Sequence, residues 1–120
     1  MSQITRLGVS RRWSDVVIHN GVAYWVEVAR DTSQDAAGQV AQVLRQIDAT
    51  LGDIGSSRLD LLEVLIYLAD LDDAAALNEH WDVWIPAGHA PVRACVGATL
   101  APGCLVEMVI TAAAKNETQQ

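Results

Sequence analysis

The stretch LDLLEVLIYLA, residues 59–69, decides the fold, because by periodicity alone it reads either as a strand or as a buried helix. Its leucines favour helix. Val64, Ile66 and Tyr67 suit a pleated sheet, and helical patterns flank the stretch on both sides, so a strand is predicted from about Leu61. Side chains alternate along a strand. Leu62, Val64, Ile66 and Leu68 would then share one face, and Leu61, Leu65 and Tyr67 the other. Both faces are largely apolar, which is the pattern of a central strand covered on both sides.

On the N-terminal side, Ala37, Val40, Leu44, Ile47 and Leu51 recur in steps of three and four and predict a helix over 35–51. Thr32, Ser33 and Asp35 are candidate caps, and Gly52 and Gly55 can end it. Further upstream, 15–19 and 22–29 read as strands around Asn20-Gly21, a type I′ hairpin signal. A short strand near 4–7 is a further candidate. On the C-terminal side, Ala74, Leu77, Trp81 and Trp84 form the stripe of a second helix, capped by Asp70 or Asp72 and stopped by Pro86 and Gly88. Two strands, 92–100 and 105–113, follow around an Ala-Pro-Gly-Cys turn. The order β-β-α-β-α-β-β predicts an α+β mixed sheet with two helices on one face. The other face is too apolar for water, so a second copy of the chain is expected to cover it. One domain is expected over 1–114, with 115–120 as a disordered polar tail.

Composition narrows the function. Of 120 residues, 51% are hydrophobic and 19% charged, as in a globular chain. The net charge of −7 and the absence of a basic run argue against nucleic acid. No apolar run is long enough to span a membrane. MSQITRLGVS has no apolar core behind its arginine, so no signal peptide is expected and the cytoplasm is the default compartment. Cys95 and Cys104 are expected to be reduced thiols, and the scattered His19, His80 and His89 give no metal site. A small molecule and copies of the chain itself are the expected partners.

Within 90–109 stand one cation, Arg93, and one anion, Glu107. If 92–100 and 105–113 pair as a hairpin centred on Ala101, Cys95 lies opposite Glu107 with Arg93 diagonal to it. The two charges would share a face about 5 to 8 Å apart, and a one-residue slip would separate them. They would form either an ion pair at an interface or a ligand site. In the second case Arg93 offers a planar fork for a carboxylate and Glu107 holds and deprotonates a water.

APVRACVGATL followed by LVEMVITAA resembles the C-terminal signature of the RidA (YjgF-like) family of enamine/imine deaminases, through Pro91, Arg93, Cys95, Val96 and Glu107. RRWSDVVIHNG resembles the N-terminal segment of its YoaB-type branch. QIDATLGDIGSS, VLIYLADLDDAAALNEHWDVW and AGHAPVRACV match in order and spacing. The resemblance implies a chorismate-mutase-like fold, a homotrimer with clefts between subunits, and hydrolysis of 2-imino acids or their enamine tautomers to 2-oxo acids and ammonia without cofactor or metal. It assigns Arg93 to the substrate carboxylate, the Cys95 backbone to the site wall, Glu107 to the attacking water, Asn78 to a site asparagine and Trp13 to an aromatic position often held by tyrosine.

One position departs from the pattern. Where many members have Ser/Thr-Gly after the second strand, this chain has Val26-Glu27. Glu27 either points away or pairs with Arg30, or it competes for Arg93 and closes the cleft. The second case leaves an alternative function, a non-catalytic small-molecule-binding or regulatory trimer. Trp81 and Trp84 are read as core or interface, His89 as a loop residue, and Cys95 as no nucleophile because no histidine is placed to activate it.

Overall fold

The computed structural model describes residues 3–114. The segment expected to be a tail, 115–120, lies outside the described residues. The strands are β1 (Ile4–Leu7), β2 (Val16–His19), β3 (Val22–Val28), β4 (Leu61–Leu68), β5 (Val92–Gly97) and β6 (Val106–Ala113), and the helices are α1 (Ala36–Asp53) and α2 (Ala74–Trp84). They build one mixed sheet in the order β1-β2-β3-β6-β4-β5, in which only β4 and β5 run parallel. β1 supplies the sixth strand, at the position marked near 4–7.

Local chemistry accounts for the elements. Asn20 and Gly21 both take positive φ, 53° and 74°, and His19 pairs directly with Val22, as a two-residue type I′ turn requires. Asp35 caps α1 by accepting from the Gly38 N–H at 2.9 Å. Asp70 caps a short 3₁₀ turn, Leu71–Asp73, that leads into α2. Both helices lie on one face of the sheet. Val40, Val43, Leu44, Ile47 and Leu51 of α1 and Leu77, Trp81 and Trp84 of α2 pack against Ala23, Trp25, Val64, Ile66, Met108 and Ile110.

Residues 59–69 form the predicted strand, with one correction. A β-bulge between Leu61 and Glu63 shifts the alternation, so Leu61 joins Val64, Ile66 and Leu68 in the core and Leu62 stands 46% exposed. The bulged residue takes up one position, so every side chain before it changes face.

The second correction concerns the last two strands. β5 and β6 do not pair with each other, because β4 lies between them. Residues 98–105 are too long for a tight hairpin, and they step over the end of β4. There the Ala98 N–H donates to Leu68 O and the Ala69 N–H donates to Leu105 O. β5 is thus a sheet edge, and β6 is inserted at the centre between β3 and β4.

Among the described residues, no element covers the face of the sheet opposite the helices. Tyr24, Val26 and Val28 of β3 and Val92 and Val96 of β5 are exposed, with Leu65, Tyr67 and Val109 half-buried between them.

Candidate functional site

Arg93 is in register with Val64 on β4, so it leaves the sheet on the helix side. Its guanidinium lies over the Trp81 ring of α2, 5.3 Å from the ring centre. The only ion pair among the described residues joins Arg58 and Asp48. Arg93 therefore presents a half-buried cation with no anionic partner. Cys95, two residues on, packs partly against the core on the same side. Even-numbered residues of β5 direct their backbone groups to β4, as the bond from Ala98 shows. By alternation, the N–H of Cys95 points to the open edge. Asn78 is exposed on α2, one turn before Trp81.

Glu107 stands elsewhere. It is in register with Tyr67 on one side and Val28 on the other, which places it on the bare face. It is half-buried, and no described residue bonds its carboxylate. The shared face expected for Arg93 and Glu107 is thus corrected. They lie two strands and three register positions apart, about 14 Å by strand and residue spacing, and on opposite faces of the sheet. An ion pair within one chain is excluded by the same geometry.

A cleft of about 1110 Å³ opens beside the part of β3 that β2 leaves unpaired, and Trp13, Tyr24, Val26, Glu27, Val28 and Glu107 are among its lining residues. Trp13 stands exposed in the loop after β1, where its backbone is held by Ser10. Glu27 points toward α1, and its carboxylate accepts from Trp25 Nε1 at 3.1 Å, Gln46 Nε2 at 3.1 Å and Thr50 Oγ1 at 3.0 Å. Three donors hold it, and β6 and β4 separate its strand from β5. Within one chain Glu27 does not compete for Arg93. The six residues singled out in the sequence therefore fall into two groups, with Trp13, Glu27 and Glu107 around the cleft and Arg93, Cys95 and Asn78 at the β5–α2 edge.

The chain and its fold are similar to known proteins. A family model described as Endoribonuclease L-PSP matches residues 3–114. The RutC family protein YoaB of Escherichia coli strain K12 is 48% identical over 111 residues, covering 92% of this chain and 97% of that one. The chain belongs to the YjgF/RidA family. Solved structures agree with this YjgF/RidA assignment. A member of the YjgF protein family from Neisseria meningitidis superposes with a TM-score of 0.89 at 41% identity, covering 94% of this chain and 96% of that chain. An uncharacterized protein from Pseudomonas aeruginosa gives a TM-score of 0.90 at 41% identity, covering 94% and 100%. The chorismate-mutase-like arrangement, two helices on one face of a mixed sheet, is the fold that the chain shares with these YjgF-family structures.

Two residues of this family member escaped the sequence reading as site components. Trp81, expected in the core or an interface, is buried and also carries Arg93 on its face. The parallel β4–α2–β5 connection is the signal that could have revealed it, because the crossover helix lies over the strands it joins. Gln39 is fully buried, and it bonds Gly103 O and the Leu105 N–H, tying the 98–105 loop to α1. Ala101 and Cys104 of that loop line the cleft beside Glu107. No sequence pattern marks Gln39, since glutamines mostly lie outside.

Proposed function

We propose that this chain hydrolyses 2-imino acids, or the enamines that tautomerise to them, to 2-oxo acids and ammonia. In this reading it acts as a homotrimer whose sites lie between subunits. The observation that carries it is Arg93, a half-buried guanidinium without an anionic partner among the described residues, in a chain of net charge −7. A guanidinium in that state suits a planar carboxylate held by two parallel hydrogen bonds.

One chain presents Arg93 and Glu107 on opposite faces, so a small substrate touching both requires two copies. The uncovered apolar face supports such an assembly. In the shared site, Arg93 of one subunit holds the substrate carboxylate, the Cys95 N–H at the open edge borders it, and Asn78 lies on the rim. Glu107 of the neighbour holds the water, with Trp13 and Glu27 as walls of its cleft. The water oxygen bonds to the iminium carbon while Glu107 takes its proton. That proton passes to nitrogen, the C–N bond breaks with its electron pair leaving on ammonia, and the remaining hydroxyl proton is lost to form the carbonyl. These steps use the chain's own residues and bulk water.

The reading as a binder without turnover rested on Glu27 competing for Arg93, and the three hydrogen bonds that occupy its carboxylate and turn it toward α1 weigh against that. RNA cleavage, as in the family model's description, fits poorly with the acidic charge. The direct test generates 2-iminopropanoate in situ and follows 2-oxo acid release with purified protein. Acceleration that Arg93→Ala abolishes supports the proposal. Equal rates with wild type, Arg93→Ala and no protein refute it.

A further inference from the structure

We propose that Trp81 is a positioning residue for Arg93, holding the guanidinium by its face so that its edge is presented to a carboxylate. The inference rests on the reading of Arg93 as the carboxylate anchor. Trp81 is itself fixed, being 5% exposed and packed against Trp84 with ring centres 5.7 Å apart at 48°. The Arg93 carbon lies 5.3 Å from its ring centre, within the range of a cation–π contact. A guanidinium resting on a ring keeps its N–H donors in its own plane, where a carboxylate can take two of them. Without the ring, a long flexible side chain on an edge strand would have no single orientation.

The same molecule holds a filled version of this arrangement. Arg58 lies 5.2 Å from the centre of the Trp84 ring, and its Nε and Nη2 donate to the two oxygens of Asp48 at 2.8 and 2.7 Å. There α1 supplies the carboxylate. At Arg93 none of the described residues supplies one, so the corresponding place is open to a substrate. Two arginines thus rest on one pair of touching indoles, one with its carboxylate built in and one without.

The test compares Trp81→Phe, which keeps a ring, with Trp81→Met, which keeps apolar bulk without one. Trp81→Met is expected to raise KM for a 2-imino acid about five- to tenfold with kcat within about twofold, and Trp81→Phe to recover most of the loss. Inhibition by a 2-oxo acid should weaken in parallel, while inhibition by its amide, which lacks the carboxylate, should not change. Loss of both in equal measure would mean a merely structural role and overturn the proposal. So would a folded Trp81→Met with the KM of the wild type. Should Trp81→Met not fold, the Arg93 Nε–Hε resonance of the wild type decides. Ring current should move it upfield of a free arginine, and an unshifted resonance overturns the proposal. Arg93→Ala separates the two layers through calorimetric binding of the 2-oxo acid. If that binding is unchanged, the anchor reading itself fails. If it weakens while Trp81→Met keeps the KM of the wild type, only the role of Trp81 fails.

Discussion

At the scale of single residues, the informative side chains are those whose hydrogen-bonding capacity is filled or left open. Glu27 is filled. Replacing it with alanine leaves the Trp25 indole N–H, on a side chain only 4% exposed, without its acceptor. An unsatisfied buried donor costs about 1–3 kcal/mol, so Glu27→Ala should lower the urea midpoint, whereas Glu27→Gln should retain most of the stability. Asp31 gives a prediction in pH. Hydrogen bonds from the side chain and then the backbone of Ser33 hold its carboxyl below the usual 3.8. A depressed folded value means that its small contribution is complete above the unfolded pKa and is lost as pH falls through the folded one. An NMR titration should place Asp31 below 3.8, and Ser33→Ala should bring it back up.

At the scale of elements, the periodicities at 35–51 and 74–84 marked both helices, and Asn20-Gly21 marked its hairpin, because these signals are local. Two features were not legible. The bulge at Leu61–Glu63 exchanged Leu61 and Leu62 between faces, and both are leucines, so the pattern carries no trace of it. The insertion of β6 between β3 and β4 depends on which strands meet across the sheet. The hairpin of β5 and β6 that sequence proximity suggests satisfies the same alternation, so only tertiary pairing separates the two. Arg93, Cys95 and Glu107 were thus marked as site residues, but which face each occupies was not. The loop that makes the insertion possible is clamped by Gln39. Gln39→Ala would leave the Leu105 N–H without its acceptor, and it should cost about 1–3 kcal/mol in chemical denaturation. It should also loosen the cleft wall at Ala101 and Cys104, which faster amide exchange across 98–105 would reveal.

At the scale of the whole molecule, a two-layer domain has one sheet face packed under helices and the other left apolar and open. The proposed trimer covers that face and brings the two groups of site residues together. A carboxylate at its centre should prevent assembly, so Leu65→Asp is expected to shift the light-scattering mass from three chains toward one while leaving the helical circular dichroism intact. The central claim, that Arg93 of one copy works with Glu107 of another, is tested most directly by mixing two inactive variants, Arg93→Ala and Glu107→Gln. After dissociation and reassembly at equal ratio, a shared site predicts that imine hydrolysis returns to about a quarter of the wild-type rate, since one site in four then pairs an intact arginine with a neighbour's intact glutamate. A mixture that stays as inactive as either variant alone would contradict it.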